Sequence, residues 1–240
     1  MQTLRAAEPA VNAISGPRRH RPRGGPAPNG PLSLPARLCL AAWDTDPQRL
    51  APLVRAGALA ELARRGLLTD DDGIATPLDL DSRTGDPVLD GLLELVSESL
   101  PHRWRAWVTL HARHTLDAVR EQLVAEGVVR AEKHRVLGVF PSVDHVLADT
   151  ACADALRREA RPALTGPAPA EQVPGPVATA LALATAAGLP PAPHGSFDDA
   201  RAEALTRRAA ASAPGLDAVL RDLRTGLTEA APLSALTRGR

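Results

Sequence analysis

Apolar residues recur at helical spacing along most of the chain. Leu50, Leu53, Val54 and Leu62 predict a helix over about Leu50–Arg65, which Gly66 would end in a left-handed conformation. Similar patterns predict further helices, several of them opened by Ser, Asp or Pro or closed by Gly: Ser33–Trp43, a helix that opens at Asp86, Trp104–Glu126, Ala151–Leu164, Val177–Ala187, Phe197–Ala211 and Leu216–Glu229. The chain is therefore predicted to be mainly α.

Two segments that follow predicted helices favour short β-hairpins. Leu67–Ile74 contains the turn-forming stretch Asp70–Gly73, and Val128–Phe140 is predicted to form two short strands around Glu132–His134. The order helix, glycine, hairpin thus occurs twice.

The most apolar stretch, Val177–Leu189, is predicted to be the central helix of a bundle. It is shorter than the roughly 20 residues that cross a bilayer, and no apolar signal segment precedes the domain. Residues 1–30 hold five arginines against one glutamate and are rich in Pro and Gly. We therefore expect a disordered basic tail at 1–30 and one helical domain at 31–240, in the cytoplasm.

Composition limits the function classes further. Hydrophobic residues make up 44% of the chain, enough for one sizeable core, and the net charge is zero, so no global field attracts nucleic acid or membranes. Electrostatic binding must therefore be local. Cys39 and Cys152 lie in apolar or Ala-rich surroundings and form no disulfide framework or CxxC pair.

Three stretches carry a resemblance to a known family. Glu61–Leu67, Thr84–Leu92 and Leu123–Pro141, in this order and spacing, resemble the Golgi phosphoprotein 3-like family in its shorter bacterial, actinobacterial-type branch, over about Leu32–Ala230. The resemblance implies a helical domain with a central apolar helix and β-hairpins on one face. Eukaryotic members bind phosphatidylinositol 4-phosphate on that face and tether membrane proteins, notably glycosyltransferase tails.

The resemblance also implies a phosphate pocket built from arginines. A phosphoinositide site needs several guanidinium groups, because charge-assisted, bidentate hydrogen bonds fix the phosphate. Arg55 matches the family's arginine in the second helix, and Arg113 matches the first of its two motif arginines before the hairpin. Arg120, two helical turns after Arg113, is expected on the same face and completes the predicted head-group site.

Two departures from the family pattern weaken that expectation. Leu116 occupies the position of the second motif arginine, and the segment that bears the family's tryptophan is shortened to Asp44–Pro47. Trp43 is near this segment without being aligned to it. The alternative interpretation is that the three arginines are solvated helix-face residues.

The second hairpin and the tail offer further contacts for a membrane surface. Arg130, Lys133 and Arg135 flank an apolar run that includes Leu137, a pattern typical of a membrane-facing hairpin, although the apolar residues of such a hairpin are more often core. The expected partners are an anionic phospholipid or membrane surface and the cytoplasmic tails of membrane proteins. We expect peripheral association with the inner face of a membrane, no nucleic acid and no cofactor.

Patterns for catalysis are weak. His111 and His114 form an i, i+3 pair without the further ligands that a metal site needs, so no metal is expected. Asp86 and Asp90 could be an acid and base pair, but a helix cap explains the first and the helix dipole favours the second, so both are interpreted as structural. No enzymatic function is predicted.

Two other functions remain open. A winged-helix nucleic-acid binder also combines a helix, a glycine and a charged hairpin, although Asp117, Glu121 and Glu126 would repel a duplex. A protein-interaction scaffold that does not bind lipid would agree with Leu116 and the missing aromatic residue.

Overall fold

A computed structural model describes residues 31–79, 81–136, 140–189 and 198–229, with the backbone alone for 135–136, 140–141 and 226–229. The predicted tail lies outside these residues. The helices, which confirm the mainly α prediction, are α1 Leu34–Ala41, α2 Pro47–Arg64, α3 Pro87–Glu98, α4 Trp104–Thr109, α5 Ala112–Ala125, α6 Ala151–Thr165, α7 Gly175–Ala186, α8 Asp199–Ala210 and α9 Leu216–Glu229. The strands are β1 Leu68–Asp71, β2 Ile74–Pro77, β3 Val129–Val136 and β4 Phe140–Leu147.

The helix with the largest number of packing partners is α2, whereas Val177–Leu189, predicted to be the central helix, forms α7, which is largely buried and packs against α1, α2, α6, α8 and α9. Nearly every residue of α2 from Leu50 to Ala63 is buried, and α2 packs against α1, α3, α4, α5, α7, α9 and β1. Small residues such as Gly57 allow this, because α1 lies directly on the Gly57 backbone. Two charged residues of α2, Arg55 and Glu61, are buried. In the sequence they make α2 look like a surface helix.

Both hairpins follow a helix that ends in a left-handed glycine, as predicted. Gly66 has φ 72° and Gly127 has φ 74°, and in each case the next residue donates back to the helix, Leu67 N to Leu62 O and Val128 N to Leu123 O, both at 3.0 Å. These bonds satisfy carbonyl groups that the helix ends would otherwise leave unpaired. The prediction of a repeated helix, glycine and hairpin is confirmed.

The turn of the second hairpin was predicted at the wrong position. β3 pairs with β4 over its full length, so Glu132–His134 lie inside β3, opposite Asp144, Val143 and Ser142. The residues between the strands, 137–139, are outside the described residues. Polar side chains are accommodated in mid-strand because Arg130–His134 are all exposed to solvent.

The predicted helix Trp104–Glu126 is in fact two helices. His111 has φ 55°, a left-handed conformation between the end of α4 and the start of α5. The break frees the carbonyl of Leu110, which accepts a hydrogen bond of 2.7 Å from Arg55 Nη2. A side chain from α2 thus stabilises the α4–α5 turn.

The resemblance motifs have structural explanations. Glu61 Oε2 accepts from the Leu34 amide at 2.7 Å, and Glu61 Oε1 pairs with Arg64 and Arg65 at 3.2 and 2.6 Å, so Glu61 joins the start of α1 to the end of α2. This carboxylate therefore holds two helices and their termini together.

The predicted cap of α3 is confirmed. Asp86 Oδ1 accepts from the amides of Val88 and Leu89 at 2.9 and 3.1 Å. Asp90 Oδ1 accepts from the amide and hydroxyl of Thr84 at 2.6 and 2.7 Å, and these hydrogen bonds lower the pKa of Asp90 in spite of opposing desolvation. Both carboxylates are structural, as expected.

The C-terminal third contains the predicted helices, with bounds that differ by no more than two residues. α9 packs on α2 and α4, whereas α6, α7 and α8 enclose a smaller apolar cluster around Leu164, Val177, Leu181 and Leu205. Within the described ranges, no helix is both long and apolar enough to cross a bilayer.

Candidate functional site

Two of the predicted head-group residues lie on α5. Arg113 lies in the first turn of α5 with 62% of its side chain exposed, and Arg120 lies two turns further on. Asp117 stands between them, 3.8 Å from Arg113 Nε and 4.0 Å from Arg120 Nη1. From the sequence, Asp117 was interpreted only as an acidic residue that would repel a duplex, and its position as a shared partner of both arginines was not predicted.

Arg120 meets Trp43, which the sequence did not predict. The guanidinium carbon of Arg120 lies 5.8 Å from the centre of the Trp43 ring, within cation–π range. Trp43 belongs to the loop between α1 and α2, and its side chain is half-buried. Arg120 is 14% exposed, and its Nε has no hydrogen-bond partner within the part of the chain that the structure describes.

Arg55 does not face solvent, contrary to the expectation of an open pocket lined by Arg55 and Arg113. It is 1% exposed because α2 is covered on all sides, and Nη2 donates to Leu110 O. Its Nε is also buried, with no partner among the described residues. Arg55 and Arg113 nevertheless flank one turn, Arg55 from inside the fold and Arg113 from outside.

The charge of Arg55 persists inside the protein. Burial lowers the pKa of the Arg55 guanidinium to about 10, which is still well above neutral pH. A buried cation with a single polar contact is costly, because it has lost most of its hydration. This positive charge lies beneath the α4–α5 turn, where Nη2 donates to Leu110 O.

The other departures from the family pattern have clear positions. Leu116 on α5 is fully buried in the core, so the position of the second motif arginine is a packing position in this fold.

His111 and His114 contact each other edge to face, with ring centres 5.5 Å apart. Among the described residues, no group of three or more His, Cys, Asp or Glu side chains could hold a metal.

The predicted membrane-facing residues are only partly described. Arg130 and Lys133 are exposed on β3, and Val143 on β4 is 46% exposed. The side chain of Arg135 and the whole of Leu137 lie outside the described residues. The hairpin therefore presents basic groups beside one exposed apolar residue.

Comparison with known proteins agrees with this architecture. The family model described as Golgi phosphoprotein 3 (GPP34) matches residues 34–225, from the first residue of α1 into α9. A comparison with curated proteins finds no match. Because the match covers most of the chain and all the helices that form its core, the chain belongs to the Golgi phosphoprotein 3 (GPP34) family.

Proposed function

We propose that the protein is a peripheral membrane adaptor that binds an anionic phospholipid head group, for which phosphatidylinositol 4-phosphate is the precedent in the family, and the tails of membrane proteins. Its place would be the inner face of the cytoplasmic membrane. The observation that supports this most is the contact between Arg120 and Trp43. This contact supplies an aromatic wall and a second arginine near Arg113. The sequence lacks both features at the positions that the family pattern gives them, where it has the shortened loop and Leu116.

Each arginine has a distinct role in this proposal. Arg113 is exposed and can meet a phosphate first, while Arg120 is held against Trp43 with 14% of its side chain exposed, so it would donate from the outer part of its guanidinium group. Charge-assisted hydrogen bonds from two guanidinium groups fix a phosphate more firmly than a single cation does. Arg55 contributes a positive potential from beneath the α4–α5 turn.

Asp117 opposes anion binding in the empty site, because it already pairs with both arginines. The two contacts are long and Asp117 is half exposed, so the pairing is weak and a phosphate can replace it. A doubly charged phosphate competes better than a singly charged one because its attraction to each arginine is larger.

The β3–β4 hairpin is the second membrane contact of the proposal. Arg130 and Lys133 would meet anionic head groups while Val143 enters the interfacial layer. Arg135 and Leu137 are assigned to the same surface on sequence grounds alone. A local basic surface of this kind needs no net charge on the whole protein.

The proposal is tested by sedimentation of the full chain with neutral phosphatidylcholine vesicles and with vesicles that also contain phosphatidylinositol 4-phosphate. We expect binding to the second set, weakened at least about tenfold by the double change Arg113→Ala and Arg120→Ala, which removes two charge-assisted contacts. Asp117→Asn should strengthen binding, because it removes the competing carboxylate.

The matched control is Arg207→Ala with Arg221→Ala, which removes the same charge from exposed positions on α8 and α9. Equal weakening by both double variants would show that net charge, and not the α5 site, controls binding. Binding to neutral vesicles that equals binding to anionic ones would reject the function itself. A shift of duplex DNA with a steep salt dependence would instead favour the nucleic-acid alternative.

A further inference from the structure

The loop that carries Trp43 is tied to α6 by one side chain. Arg157 Nε donates to the carbonyl of Ala41 at 3.2 Å, and Arg157 Nη2 lies 3.4 Å from Asp44 Oδ2. These two partners stand on either side of Trp43 in the chain. Arg157 also contacts Asp154 on its own helix at 3.3 Å, which fixes the direction of its guanidinium.

The contact of Arg157 with the loop contributes less to stability than the packing of α6 on α1. α6 is attached to α1 by buried Ala153 and by the ion pair between Arg37 and Glu159, 2.9 Å apart, so α6 does not need Arg157 to stay in place. Asp44 is 87% exposed, and an exposed pair adds little to global stability. The contact therefore acts mainly on the local position of the loop.

From this arrangement, and resting on the proposed function, we propose that Arg157 is a positioning residue of the head-group site. It holds Ala41 and Asp44 so that the Trp43 ring lies against Arg120, and it touches no lipid itself. Without Arg157 the ring is released, Arg120 loses its aromatic support and its guanidinium samples more orientations. An ordered donor pays less conformational entropy when a phosphate arrives.

The position of the loop can be measured without any lipid. Of the three tryptophans, Trp104 and Trp107 are 1% and 0% exposed, so Trp43 is the one that a neutral quencher such as acrylamide reaches. Arg157→Ala should raise the quenching of Trp43. Arg158→Ala is the matched control, because Arg158 is exposed on the same helix and its hydrogen bond is to Asp154 O within α6.

Vesicle binding then distinguishes an effect of the loop position from an effect of net charge. Arg157→Ala lowers the net charge by one and Asp44→Asn raises it by one, yet both break the tie to the loop. We expect each to weaken binding to phosphatidylinositol 4-phosphate vesicles about threefold, a loss within the range of exposed ion pairs, while Arg158→Ala has less effect.

Opposite effects of Arg157→Ala and Asp44→Asn would show that charge alone matters and would overturn the positioning role. Unchanged quenching in Arg157→Ala would overturn it as well. Neither result affects the proposed function, which fails only if the unaltered chain does not prefer anionic vesicles.

Discussion

At the scale of single residues, the molecule places ionisable groups where their charge is costly. Cys39 on α1 is fully buried, and Arg55 on α2 is nearly so. Burial raises the pKa of the Cys39 thiol from 9.0 to about 12, against an opposing effect of the Arg120 charge, and lowers the pKa of Arg55 to about 10. The two shifts couple folding to pH in opposite directions.

The Cys39 contribution to stability is complete below pH 9 and is lost as the pH rises toward 12, because the folded state keeps a proton that the unfolded state releases. Arg55 acts oppositely, since above about pH 10 the unfolded state keeps a proton that the folded state releases. We predict that Cys39→Ala loses less stability than the unaltered chain between about pH 8 and about pH 11, measured by urea unfolding.

The unaltered Arg55 is present in both proteins, so the comparison isolates the thiol. Cys152→Ala is the control, because that thiol is only partly buried and its variant should change the pH dependence less. An identical dependence of the free energy of unfolding on pH in Cys39→Ala and in the unaltered chain would contradict the prediction.

At the scale of helices and strands, the sequence predicted what local chemistry determines. Asp86 followed by Pro87 marked the start of α3, and Gly66 and Gly127 marked the ends of α2 and α5. The break at His111 carried no such mark, because a histidine in left-handed conformation is imposed by the packing around it. It could not be read from residue order alone.

The error in the second hairpin has a related cause. If both faces of a strand are assumed to be partly buried, a run of polar residues such as Glu132–His134 indicates a turn, because polar residues would not fit inside the strand. β3 is exposed along this run, so polarity there gives no information about where the strand ends. Register follows from pairing with β4, which is a long-range property.

Two glycines with the same backbone angle give a prediction at this scale. Gly66 and Gly215 both have φ 72°, but a Cβ at Gly66 would meet open space, whereas one at Gly215 would overlap the Trp104 ring. We expect Gly66→Ala to cost about 1 kcal/mol and Gly215→Ala about 3 kcal/mol, because the second adds overpacking to the same backbone strain.

Thermal or urea unfolding measures both costs, and Gly66→Ala serves as the control for backbone strain alone. Similar losses of stability in the two variants would show that the contact between α9 and Trp104 is not tightly packed.

At the scale of the whole molecule, the candidate site shows what sequence could and could not provide. Arg113 and Arg120 were predicted on one face of a helix, and on α5 both lie near Asp117, although Arg113 is 62% exposed and Arg120 only 14%. The burial of Arg55 and the contact of Arg120 with Trp43 depend on how α1, α2 and α5 assemble. No local pattern distinguishes a buried arginine from an exposed one in a helix that is covered on all sides.

The N-terminal segment gives a prediction for the complete chain. Residues 1–30 carry five arginines and one glutamate, a net charge of +4. Deleting them should weaken binding to anionic vesicles by up to about 4 kcal/mol, nearly a thousandfold, at modest salt, and by much less at high salt. Sedimentation over a series of salt concentrations measures this.

The shortened chain should still prefer anionic over neutral vesicles and still respond to Arg113→Ala with Arg120→Ala. Loss of that response would assign all membrane binding to the segment 1–30 and none to the α5 site.

The packing of α9 on α2 has a consequence for how the chain is made. About 150 residues separate the end of α2 from the start of α9, which a ribosome needs roughly 8 to 30 s to add. During that interval the face of α2 that α9 covers in the folded protein has no final cover. Biosynthesis of this domain therefore includes a waiting period in which chaperones or early helices must shield α2 from aggregation.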